Sequence, residues 1–93
     1  MSMIAHRIII EGHVQGVFFR EWTVSRAREI GVCGWVRNLH DGRVEIYAVA
    51  DASTLARFTD GLHEGSPASR VDQVTVTEAA VEKLEGFTRH QSE

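Results

Sequence analysis

Residues 33–50 read Cys33-Gly34-Trp35-Val36-Arg37-Asn38-Leu39-His40-Asp41-Gly42-Arg43-Val44-Glu45-Ile46-Tyr47-Ala48-Val49-Ala50. The stretch reads as two strands, Cys33 to Asn38 and Arg43 to Ala50. His40-Asp41-Gly42 between them carries the Asp-Gly signal of a hairpin. The pattern on either side is helical. Upstream, Phe19, Trp22, Arg26, Ala27 and Ile30 share one side of a 3.6-residue helix, and Gly31 stops it. Downstream, Asp51 suits an N-cap, Leu55, Phe58 and Leu62 recur at i, i+3 and i+7, and Gly65 and Pro67 end the helix. Beyond each helix lies another strand. Met3 to His13 is rich in isoleucine, and Gly12 and Gly16 mark its end. Val71, Val74 and Val76, with Thr75 and Thr77 between, form a fourth strand, and Phe87 sits in a short fifth. The order is β-α-β-β-α-β with a small C-terminal addition. Two helices must cover one face of a mainly antiparallel sheet. The expected fold is therefore an α+β, ferredoxin-like sandwich. In it, strands one and two run parallel with strand three between them. The loops near residues 14–20 and near residue 38 then face each other.

Composition bounds the rest. Ninety-three residues suffice for one domain, expected to span 1–93. A chain this short buries roughly 60–65% of its unfolded surface, so its core is modest. Hydrophobic residues make up 43% and charged residues 25%, which excludes disordered, collagen-like and coiled-coil classes. No apolar run approaches a membrane span. No basic segment followed by an apolar stretch marks a signal peptide. The cytoplasm is the expected compartment. A single cysteine, Cys33, can build neither an intramolecular disulfide nor a Cys-rich metal site. The net charge of −3 gives nucleic-acid binding no support.

The informative stretch is Gly12-His13-Val14-Gln15-Gly16-Val17-Phe18-Phe19-Arg20. It leaves a strand and enters a helix. A glycine-hinged loop there can converge its backbone N–H groups on one point, a nest for an anion. The helix start adds free N–H groups and the positive end of its dipole. Residues 14–20 hold no Ser, Thr, Asp or Asn to cap those donors. Arg20 in the first turn opposes the dipole, a penalty that a bound anion would reverse. Its planar fork suits two oxygens of one phosphate. A plain glycine turn with a solvated arginine fits the same residues. The loop lacks the Lys-Ser/Thr ending of a P-loop and the later glycines of a dinucleotide fingerprint.

Together these residues resemble the acylphosphatase family. The likeness runs through Val14-Gln15-Gly16-Val17, Phe19-Arg20, Ala27 and Gly31. It continues with Gly34-Trp35-Val36-Arg37-Asn38 and Asp41-Gly42-Arg43-Val44-Glu45, then Phe58, Leu62, Pro67 and Arg70-Val71-Asp72. It covers nearly the whole chain. Past Phe87, the polar Thr88, Arg89 and His90 depart from the family's apolar alternation. The resemblance implies an enzyme, a hydrolase that splits the carboxyl–phosphate bond of acyl phosphates into a carboxylate and inorganic phosphate. It implies that Arg20 binds the phosphate and Asn38 orients the attacking water. It also implies that the backbone of Gln15, Gly16, Val17, Phe18, Phe19 and Arg20 wraps the phosphate. No metal or cofactor is implied. The expected partners are the small acyl phosphate and its phosphate product, with no nucleic acid, no membrane and a monomeric chain.

Other residues invite other chemistry. His6, His13, His40, His63 and His90 have no second His or Cys at ligand spacing and read as surface or turn residues. Cys33 reads as a small packer, Trp35 as inter-strand packing and Trp22 as a helix flank. Glu21 and Glu45 show no pairing for acid–base work. Two further classes compete with the enzyme. One is a phosphate- or acyl-phosphate-binding domain without turnover, against which the intact Arg20 and Asn38 argue. The other is an RNA-binding module of the same element order. That module stacks bases on third-strand aromatics within a basic run, whereas Gly42 to Ala48 holds one aromatic and an acid.

Overall fold

The computed structural model describes residues 2–93. The elements follow in the order β1 (Ile4–His13), α1 (Phe19–Ile30), β2 (Cys33–Asn38), β3 (Val44–Ala50), α2 (Ala52–Glu64), β4 (Arg70–Ala79) and β5 (Phe87–Arg89). The sheet runs β4-β1-β3-β2-β5, so β3 lies between β1 and β2 as expected. All its pairings are antiparallel except β2 with β5. β3 begins one residue later than expected, because Arg43 belongs to the turn. Its N–H donates to Asp41 Oδ1 at 3.1 Å, and its carbonyl accepts from Leu39 at 2.8 Å.

Strand alternation sends Ile8, Ile10, Val36, Val44 and Ile46 to the helical side, where Phe19, Ala27, Leu55, Phe58, Leu62 and Phe87 complete the core. Each large side chain buried there stabilises the fold by about 1.5–3 kcal/mol. α1 departs from its simple apolar stripe. Trp22 and Ile30 sit at the core margin, while Thr23 is fully buried. The Thr23 hydroxyl donates to the Phe19 carbonyl at 2.8 Å, so burial leaves it satisfied. Arg26 lies across Gly61 of α2, where a Cβ would overlap its guanidinium.

The other face of β3 is also closed. Glu45, Tyr47 and Val49 are all buried. The Tyr47 hydroxyl donates to the Ala80 carbonyl at 2.6 Å and accepts from the Glu82 N–H at 2.8 Å, which draws the segment after β4 across the sheet. Trp35 lies between Tyr47 and His90, with ring centroids 6.0 and 5.1 Å away. Burial pushes the Glu45 carboxyl up. Hydrogen bonds and charges from Arg7 and Arg37 more than offset that and hold it below its ordinary value.

The α2 cap is as expected. Asp51 accepts from the Thr54 N–H at 3.3 Å, from its hydroxyl at 2.6 Å and from the Ser53 hydroxyl at 2.8 Å. The Thr54 and Ser53 hydroxyls hold the Asp51 carboxyl down, from 3.8 to about 2. A lowered folded-state pKa favours the fold at neutral pH. The cap's contribution is complete above the unfolded value of 3.8 and is lost as pH falls through about 2. Acid unfolding of Asp51→Asn should therefore start from lower stability at neutral pH and lose less of it over that window. Parallel acid titrations of the two proteins test this.

Candidate active site

The β-α-β crossover brings the end of β1, the start of α1 and the end of β2 to one corner of the sheet. β1 arrives there bent. Its pairing with β4 shifts register between Glu11 and Gly12, and Gly12 has φ +139°. A Cβ at Gly12 would overlap the Arg70 carbonyl oxygen, so glycine lets β4 approach closely at the bulge.

The loop after β1 then curls. Gly16 (φ 73°) and Phe18 (φ 59°, ψ 25°) both take the left-handed region. Phe18 is the only non-glycine residue with positive φ among the described residues, and its side chain is 80% exposed. A bulky residue held there is strained, a condition that gathers at binding sites. Phe18 is also the N-cap of α1, with no side-chain cap. The first bond of the helix ladder runs from the Trp22 N–H to the Phe18 carbonyl at 3.0 Å. The N–H groups of Phe19, Arg20 and Glu21 lie ahead of that ladder.

The Gln15 side chain holds the loop in place. Its Nε2 donates to the carbonyls of Leu39 at 2.8 Å and Arg43 at 2.9 Å. These bonds tie the loop to the β2–β3 hairpin. The sequence reading used only the Gln15 backbone and missed this clamp. A glutamine within a loop gives no sign of which distant carbonyls it meets.

Beneath the loop is a cleft of about 320 Å³. Val14, Gln15, Gly16, Phe18, Phe19 and Arg20 line it from the loop side, with Glu21 behind and Asn38 facing them from β2. Val17 does not line it and packs against the core margin. Asn38 arrives by alternation. Gly34 and Val36 point to the helical side of β2, and Asn38 is the next residue on that side, at the strand end. Its Oδ1 is buried without a hydrogen-bond partner. A buried acceptor of this kind costs free energy unless something donates to it.

Arg20 also lacks a strong partner. Its Nη1 donates to the His90 carbonyl at 3.4 Å, a long bond. Partial burial, and then the charge of Arg89, pull its pKa below the ordinary value. Both effects penalise the cation, and a bound anion would relieve both. β5 and the residues after it thus lie next to the site through Arg20 and Glu21, a proximity that sequence reasoning missed. Arg89 pairs with Glu21, and the chain continues along β2 through bonds from His90 N–H to the Val36 carbonyl at 2.8 Å and from Glu93 N–H to the Asn38 carbonyl at 2.9 Å. No histidine side chain lines the cleft, and Cys33 lies away from it. Among the described residues, no three His, Cys, Asp or Glu side chains gather as a metal site would require.

Comparison with known proteins agrees with this geometry. The acylphosphatase family model matches residues 6–89. The acylphosphatase of Rhizorhabdus wittichii is 46% identical, over 92% of this chain and 87% of its own length. That of Archaeoglobus fulgidus is 47% identical, over 91% of this chain and 96% of its own. The crystal structure of acylphosphatase from Bacillus subtilis superposes with a TM-score of 0.91 at 39% identity, covering 94% of this chain and 98% of that one. With the uncapped loop, Arg20 and Asn38 converging on one cleft, and with likeness along nearly its whole length, the chain belongs to the acylphosphatase family.

Proposed function

We propose that this acylphosphatase-family enzyme cleaves the carboxyl–phosphate bond of an acyl phosphate by attack of a water held at Asn38 on a phosphate held at Arg20. The observation that carries the reading is the pair of unmet demands facing each other across one cleft. On one side are the loop donors and the partly desolvated Arg20. On the other is the buried, unpartnered Oδ1 of Asn38.

The backbone N–H groups of the Gln15–Arg20 loop that face the cleft and the Arg20 fork bind the phosphoryl oxygens. Asn38 Oδ1 accepts a hydrogen bond from the water. The water oxygen forms a bond to phosphorus as the bond from phosphorus to the acyl oxygen breaks. The electron pair leaves with the carboxylate. Both water hydrogens end on phosphate, so a dianionic acyl phosphate and water give RCO₂⁻ and H₂PO₄⁻. The leaving carboxylate is a weak base and needs no proton. Positioning and charge stabilisation then supply most of the catalysis. The carboxylate in the cleft, Glu21, is engaged by Arg89 and is not assigned as a base. The enzyme acts as a monomer on a small molecule in the cytoplasm, without nucleic acid or membrane. The net charge of −3 gives nucleic-acid binding no support, and no helix among the described residues is long and apolar enough to cross a membrane.

Phosphate release from benzoyl phosphate tests the activity directly. An inert protein that still binds phosphate would favour the non-catalytic reading. Inorganic phosphate should inhibit competitively. At a hundred times its dissociation constant it should add about 2.7 kcal/mol, or roughly 11–20 °C in Tm for a domain of this size. An equal rise in chloride of the same ionic strength would mean a general salt effect. Dialysis against a strong chelator should leave turnover unchanged, and activity restored by zinc or magnesium would refute the metal-free mechanism.

A further inference from the structure

β5 leaves the family's apolar pattern at Arg89. Phe87 is buried in the core, and Arg89, two residues on, shares its face of the strand. That face turns toward α1, where the Arg89 guanidinium pairs with Glu21 in the first turn. Glu21 lines the phosphate cleft and also a neighbouring groove of about 310 Å³. Val24, Ser25, Arg28 and Arg89 complete that groove. Arg28 donates to the Phe87 carbonyl at 3.2 Å, which fixes β5 beside the helix. Arg28 and Arg89 thus line the groove with one carboxylate, Glu21, and Arg20 lines the adjoining cleft. Holding the phosphate requires only Arg20 among these cations.

The groove adjoins the cleft through Glu21, which lines both, so an acyl group carried by a phosphate in the cleft has the groove beside it. Arg89 and Glu21 are each about half exposed, at 49% and 50%. An exposed pair of this kind is weak and exchanges readily. A guanidinium has five N–H donors, and the bond to Glu21 engages only Nη1. The remaining edge can grip a second carboxylate. We propose that Arg89 is a specificity-determining residue that binds an anionic group on the acyl chain, so that acyl phosphates of dicarboxylic acids are preferred substrates. The inference rests on the phosphate placement proposed above.

Matched aryl substrates test it. The 3- and 4-carboxybenzoyl phosphates carry the second anion, the corresponding carbamoylbenzoyl phosphates are near-isosteric and neutral, and benzoyl phosphate is the reference. The unaltered enzyme should prefer at least one carboxy isomer over its carbamoyl partner in kcat/KM. Arg89→Gln should cut that preference by about tenfold, the size of one charge-assisted hydrogen bond, with a much smaller effect on benzoyl phosphate. Glu21→Gln should move the preference the other way, because it frees the guanidinium. The gain should vanish when Arg89→Gln is added to Glu21→Gln, whereas simple loss of the Glu21 charge would keep it. A preference unaltered by Arg89→Gln, or an equal loss on every substrate, would overturn the inference while leaving the hydrolase reading intact. No turnover of benzoyl phosphate by the unaltered enzyme would instead overturn the hydrolase reading, and this inference with it.

Discussion

Asn38→Ala should lower kcat by on the order of 10²–10³, the cost of losing one donor or acceptor aimed at the reacting atoms, with little change in KM. The split follows from timing. The phosphate is held by the loop and Arg20 before reaction, and alanine leaves those contacts in place. The water bonds to phosphorus only in the transition state, so the loss falls on kcat. Stability gives an independent readout. Asn38 Oδ1 is a buried acceptor without a partner, and removing it removes a desolvation cost. Without phosphate, Asn38→Ala should melt no lower than the unaltered protein. This is the exchange of stability for activity expected of a residue kept for chemistry. A near-full kcat would reassign the water. A lower Tm with intact kcat would make Asn38 a structural strand end. Asn38→Asp adds a further test. The carboxylate keeps the acceptor but repels the phosphoryl group, so the loss should now appear in KM as well.

Legibility in the sequence followed the range of the interaction. The hairpin at Asp41-Gly42, the α2 cap at Asp51 and the apolar stripe of Leu55, Phe58 and Leu62 depend on near neighbours, and the structure has them where the sequence implied. The approach of Arg20 to Asn38 was legible for another reason. Each stands at the end of a regular element, and the topology brings those ends together. What stayed hidden depended on distant partners or on backbone alone. Thr23 enters the core because a carbonyl four residues back satisfies its hydroxyl, so hydropathy reads it as outward. Glu45 is buried only because Arg7 and Arg37 converge on it from neighbouring strands. The end of the chain is the clearest case. Thr88 and His90 offer no apolar alternation, yet residues 86–93 follow β2 through backbone bonds that any side chain would permit. Gly34 N–H donates to the Gly86 carbonyl at 2.9 Å, and His40 N–H donates to the Glu93 carbonyl at 2.8 Å. Hydrophobic periodicity reports which face is buried. It is silent about an edge that pairs through its main chain.

Arg20→Gln should lower kcat/KM by about a thousandfold, the low end of what one arginine contributes in phosphoryl transfer. The low end is apt because an acyl phosphate is already activated. Unlike the change at Asn38, this loss should appear in both constants. The guanidinium meets phosphoryl oxygens in the ground state and meets more concentrated charge as the bond to the leaving carboxylate breaks. Glutamine keeps a donor at similar reach but removes the charge and the fork. The loop donors should remain, since they depend on the φ of Gly16 and Phe18 and on the Gln15 clamp, none of which involves Arg20. Residual phosphate binding is therefore expected, and with it a smaller phosphate-dependent rise in Tm. The unliganded fold should not suffer, because the one bond Arg20 makes, to the His90 carbonyl at 3.4 Å, is long and exposed. Removing the cation also relieves its repulsion with Arg89. Arg20→Lys separates charge from geometry. Lysine restores the charge as a single point, so it should recover part of the phosphate affinity and little of kcat if the planar fork is what the transition state requires. Full recovery by lysine would reduce Arg20 to an electrostatic attractor. Undiminished turnover in Arg20→Gln would move the phosphate site away from this loop altogether.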